Sequence, residues 1–205
     1  MAEADNLLIP VQAKVARIHA RLLEFFRNVL IKIKPVMMSL KGFLVNLKKS
    51  AKEIGQTVGK AAVDSVIKAG QKLLQIVAFV EKNTIVAIKM ATKMLAFIKK
   101  SMKFPEKVFK AVKAMVARLA KVFRLIVTKV HEVMVILNPI DTILQVIDRL
   151  KMMLQLIFKW ITQVSGISNG VKKAKALIKK SVKMLKAEAK QVTELVKEVN
   201  KLKPA

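Results

Sequence analysis

The chain has 205 residues, 54% of them apolar, and its forty Lys and Arg against thirteen Asp and Glu give a formal charge of +27. That apolar content excludes the disordered class, in which high charge goes with low hydrophobicity, and the length suits one substantial helical domain or two of about 100 residues. Cysteine is absent, which excludes a disulfide framework, a thiolate metal site and a cysteine nucleophile.

Such an imbalance repels itself unless salt or a polyanion neutralises it, so a partner is implied. Thirty-four of the basic residues are Lys and six are Arg; Lys is a flexible point charge without the planar fork by which Arg reads phosphates and guanines. Charge density is favoured over specific readout. The segment Met1-Ala2-Glu3-Ala4-Asp5 is acidic, and the apolar run Leu7-Leu8-Ile9 stops at Pro10. The pattern of a signal peptide is therefore not expected, and the chain reads as cytoplasmic in origin. No run approaches the roughly 18 consecutive apolar residues of a transmembrane helix.

Apolar residues recur at intervals of three and four, which predicts an all-α fold. Val11, Val15, Ile18, Leu22, Phe25, Val29 and Ile33 line one face of the first helix, with Lys14, Arg17, Arg21, Asn28 and Lys32 on a basic stripe of roughly 80°. Pro35 stands where a second helix can begin, and Leu40, Phe43, Leu47, Ala51 and Ile54 follow on one face. Gly55 and Gly59 weaken the continuation. Two further helices are expected over 57–82 and 84–103, punctuated at Asn83-Thr84, unless they form one long kinked helix. Phe104-Pro105-Glu106 and Asn138-Pro139-Ile140-Asp141 are helix starts, with Pro early in the helix and an acid in the first turn.

Helices over 106–136 and 140–164 are expected, the second apolar nearly all round and therefore a candidate buried central helix. Ser165-Gly166-Ile167-Ser168-Asn169-Gly170 reads as a loop, and the last helix runs over 171–202. Five to seven amphipathic helices result, with breaks near Pro35, Pro105, Pro139 and 165–170, forming a bundle in a single domain over 1–205. Residues 11–18 match 112–119 at five of eight positions, which suggests related halves 1–103 and 104–205. An apolar-Lys-Lys-Ser-x-Lys pattern also recurs at 47–52, 98–103 and 178–183, too unevenly to define a solenoid.

No constellation for catalysis appears. His19 and His131 have neither a second His nor an acid at i+4, the spacing of a helical zinc site. Gly55-Gln56-Thr57-Val58-Gly59-Lys60-Ala61 is one residue shorter than a P-loop and lacks the Ser or Thr after Lys. No nucleophile elbow occurs. A non-enzyme without metal or cofactor is expected. The methionines are expected chiefly to fill the core, although Met-rich faces also form adaptable binding surfaces.

Anion binding is the remaining chemistry. In the last helix Lys172, Lys173, Lys175, Lys179, Lys180, Lys183, Lys186 and Lys190 occupy one face of roughly 160°. Lys48, Lys49, Lys52, Lys99, Lys100 and Lys103, with Arg17 and Arg21, complete the candidate site. The expected partner is a polyanion, foremost nucleic acid, coated without sequence readout while broad apolar faces join subunits into a homo- or hetero-oligomer. By architecture alone the chain resembles helical coat proteins that wrap viral genomes in filaments, which implies DNA packaging and a place in a virion. The alternative is an anionic membrane surface, with Lys at headgroups and Leu, Ile, Phe and Trp160 in the acyl boundary.

Overall fold

The computed structural model describes residues 2–49, 51–100, 105–150 and 158–202, and among them no strand occurs. Helix α1 (Ala2–Phe25) passes through a π-helical turn (Phe26–Leu30) into α2 (Ile31–Lys49). The short α3 (Ala51–Val58) meets α4 (Lys60–Lys100) at Gly59, whose φ of 96° suits glycine. Helices α5 (Pro105–Leu150) and α6 (Phe158–Lys201) follow. The described residues thus make four long helical stretches, where the sequence breaks suggested five to seven.

The predicted break at 105 coincides with the start of α5, whereas Pro35, Pro139, Asn83-Thr84 and 165–170 all lie inside helices. Proline removes an N–H and crowds the carbonyl four residues earlier. Here both prolines, and Ile31 and Val135 four residues before them, are on the solvent side, so the freed carbonyls face water. Thr84 is fully buried and its hydroxyl donates to the Val80 carbonyl at 2.7 Å, inside the one long helix that was the alternative to a break at Asn83-Thr84. In the supposed loop, Ile167 and Ser168 are buried, in line with Val171 and Ala174. Burial of that line outweighs the cost of Gly166 and Gly170, about 1 kcal/mol each against Ala.

What keeps each helix running is an unbroken apolar seam. Buried positions in α5 run Phe109, Val112, Val116, Leu119, Phe123, Ile126, Val130, Val133, Leu137, Ile140 and Leu144, alternating three and four throughout. In α6 the same alternation joins Ile167, Val171, Ala174, Ile178, Ser181, Leu185, Glu188, Val192, Leu195 and Val199. A mean spacing of 3.5 residues keeps one seam against neighbouring helices, as in helical bundles. The first stretch departs from it once. Leu8 to Phe25 and Leu30 to Leu47 each keep the three-four rhythm, but Val29 and Leu30 are both buried between them. That is one residue too many for the heptad, and the π turn at Phe26–Leu30 absorbs it by winding the extra residue into a single wider turn.

The chain divides into two compact units. Unit 1 comprises Met1–Arg27, Val80–Thr128 and Ser181–Ala205. In it α1 and α6 run antiparallel, joined by Lys14 to Glu198 and by Arg17 to Glu188, while His19 Nε2 lies 3.0 Å from Thr92 Oγ1 on α4. Lys113 of α5 donates to the Leu202 carbonyl at 2.9 Å, closing the C-terminal end of α6. Unit 2 comprises Asn28–Phe79 and Lys129–Lys180. In it α2 packs on α4, where a Cβ at Gly70 would lie 2.6 Å from Leu44 Cδ1, and on α6, where a Cβ at Gly170 would lie 3.4 Å from Val36 Cγ2. Asp141 of α5 forms an ion pair with Lys175 of α6 at 3.6 Å.

The 140–164 stretch, expected as a central helix apolar nearly all round, buries Ile140 and Leu144 and leaves Val146 42% exposed. Its apolar positions from Ile147 onward lie outside the described side chains. Among the described residues the three-four seams are buried within the chain. Met37 is buried in this way and adjacent Met38 is 72% exposed.

Candidate functional site

The basic face of α6 is built by the seam behind it. With Val171, Ala174, Ile178, Leu185 and Val192 held in the core, the residues half a turn away must point outward. Lys172, Lys173, Lys179, Lys180, Lys183, Lys186 and Lys190 are exposed. Lys172, Lys179, Lys183, Lys186 and Lys190 fall in a row within about 60° of one another at 100° per residue. Lys175, at the edge of the arc, is half-buried and leans to Asp141.

The other predicted residues that are described lie on other helices. Lys48 and Lys49, both exposed, close α2 about 18 Å along the axis from Val36, the residue that packs at Gly170 beside the start of the lysine row. Lys52 lies on α3, lining a cavity of about 360 Å³ with Ala51, Gly55, Gln56, Lys60 and Asp64. Lys99 and Lys100 are exposed in the last turn of α4, and Lys103 lies outside the described residues.

Arg17 and Arg21 are engaged within the protein. Arg17 Nη2 donates to Glu188 Oε1 at 3.2 Å, while Arg21 lies 3.6 Å from the same oxygen and 2.8 Å from Glu24. Glu188 is 3% exposed and stands on the α6 seam between Leu185 and Val192. Its Oε2 has no hydrogen-bond partner, and neither has Asp141 Oδ1 in unit 2. Glu188 was not singled out in the sequence, although it interrupts the three-four series of α6; Asp141 was read only as a first-turn acid, and it lies beside the α5 seam, next to Ile140.

Each unit is strongly basic by itself. Unit 1 has 22 basic and 8 acidic residues, a net +14, and unit 2 has 18 and 5, a net +13. Among the described residues no group of His, Cys, Asp and Glu is placed to hold a metal ion, and no helix is long and apolar enough to cross a membrane. No protein-family model, curated protein or solved structure matches the chain.

Proposed function

We propose that the chain is a non-catalytic protein that binds and coats nucleic acid through exposed lysines, without reading sequence. The carrying observation is the α6 row, whose lysines stand opposite a buried seam and are exposed to solvent. From Lys172 to Lys190 the helix rises about 27 Å, so the seven exposed lysines give a linear density of about one per 4 Å, close to the ~3.4 Å phosphate spacing along one strand of a duplex. Each lysine near a phosphate releases condensed counterions, and affinity from that source depends on salt rather than on base sequence. Scarce Arg and aromatic residues fit this mode better than groove reading or base stacking.

The test is the salt dependence of binding to duplex DNA of mixed sequence. For about 6–10 phosphate contacts, affinity falls roughly 10³–10⁵-fold between about 50 and 200 mM salt. Replacing Lys172, Lys179, Lys183, Lys186 and Lys190 by Gln makes the log–log slope shallower by about 4–5 while helicity is kept. An unchanged slope removes α6 from the interface. Loss of affinity for anionic vesicles with DNA binding intact assigns the row to a lipid surface instead.

A further inference from the structure

Unit 2 carries a second kind of face, unlike the lysine row. On α2, Ile31, Pro35, Met38, Gly42 and Val45 are all exposed, spaced four, three, four, three, and stand opposite the buried line Ile33, Met37, Leu40, Leu44. Ile31, Met38 and Val45 are 48%, 72% and 50% exposed. Lys34, Lys41 and Lys48, seven residues apart, run along one edge. On α5, Val135, Pro139, Thr142 and Val146 make a similar outward stripe, spaced four, three, four. Residues 130–148 contain no Lys or Arg, the longest such stretch in the chain, and bring Glu132 to the edge of that stripe.

Placement within the unit makes these stripes a pair. Helix α2 has α4 on one side, at Leu44 and Gly70, and α6 on the other, at Val36 and Gly170, and α5 meets α6 through Asp141 and Lys175. Each stripe faces away from the buried seam of its own helix.

We infer that these stripes are the two halves of a head-to-tail contact, the α2 stripe of one copy seating on the α5 stripe of the next. Charge selects the occupant. Copies of a chain at +27 repel wherever lysines face lysines, and α2 packed against α2 would oppose the Lys34–Lys41–Lys48 rows. Against α5 the same row meets a stretch without Lys or Arg, edged by the Glu132–Lys129 ion pair. A contact between two different patches is head-to-tail and propagates as an open row where its rotation does not close a ring. The α2 stripe is about 21 Å long, too small for a stable dimer, which buries about 800 Å² per partner, so contact needs copies held side by side on a neutralised polymer. The inference rests on the coat reading for that neutralisation.

Because the chain lacks cysteine, Met38→Cys and Thr142→Cys each introduce one thiol at an exposed position. The full-length variants are mixed with duplex DNA of mixed sequence, bound protein is read by gel shift, and a short bismaleimide reports proximity. Met38→Cys mixed with Thr142→Cys should give dimers, the double variant a ladder, and each single variant alone only monomers. Dimers formed by either single variant alone overturn the pairing, as does bound DNA without any cross-link; the coat reading survives both. A ladder in about 1 M salt, where the Debye length is about 3 Å, with no DNA shift in dilute salt keeps the contact and removes the coat reading. Neither shift nor ladder in any condition removes both.

Discussion

At Gly70 a Cβ would stand 2.6 Å and 2.8 Å from the two Leu44 methyls and 3.2 Å from Leu44 Cγ, and Leu44 is itself buried. The glycine is there for helix approach, since Gly70 lies well inside α4, where Ala would gain about 1 kcal/mol of propensity. Overpacking costs about 1–3 kcal/mol, so Gly70→Ala should be neutral to about 2 kcal/mol destabilising and Gly70→Val worse. The double variant with Leu44→Val should be more stable than the sum of the singles predicts, read by urea unfolding; strict additivity would place the clash elsewhere. Glu188 presents the opposite case. It is buried with one oxygen unpartnered, whereas its partners Arg17 and Arg21 are 53% and 40% exposed. Replacing a whole buried ion pair by apolar residues is often stabilising by about 1–4 kcal/mol, and removing one partner is costly only where a buried charge is left behind; here the arginines left behind stay hydrated. Glu188→Leu should raise the thermal midpoint. A lower midpoint would mean that the acid fixes the pairing of α1 with α6.

The π turn gives the element scale its own test, because it accounts for one surplus residue in an otherwise heptad seam. Deleting exposed Asn28 turns the buried series after Phe25 into an unbroken four-three alternation, so the variant should fold with helicity and midpoint at or above those of the parent. Deleting exposed Ala20 instead rotates the seam after Ile18 by about 100° and should abolish cooperative melting, followed by circular dichroism at 222 nm. Equal behaviour of the two deletions would show that the π turn does not set the register. The surplus residue was legible in the sequence as two consecutive steps of four, from Phe25 to Val29 to Ile33. The seams themselves were legible, since burial of Val11, Val15, Ile18, Leu22, Leu40 and Leu47 follows the spacing. The breaks were misread because Pro35, Pro139, Gly166 and Gly170 carry strong local preferences, whereas the seam continues across each of them and long-range burial decides. At the candidate site, the exposed α6 lysines followed from the wheel. The engagement of Arg17 with Glu188 did not, because its partner is 171 residues away.

At the scale of the whole molecule, the charge that implies a partner also acts on the fold itself. Each unit holds a net charge of +13 or +14, and folding brings those lysines closer together than they are in an expanded chain, so repulsion subtracts from stability. Attractive pairs offset little of it, because only thirteen acids are present and exposed pairs such as Lys110 with Glu106 contribute about 0–1 kcal/mol. Screening should therefore remove more repulsion than attraction. The melting temperature should climb as NaCl rises from about 10 to about 500 mM, over which the Debye length falls from about 30 Å to a few Å. Duplex DNA should produce a comparable rise at the low end of that range, because a ligand that binds the folded state stabilises it by mass action, and little at the high end, where counterion release no longer drives binding. A melting temperature that falls with salt would mean that the ion pairs of Glu188, Asp141 and Glu132 outweigh the lysine field, and the proposed need for a neutralising polymer would lose its physical basis.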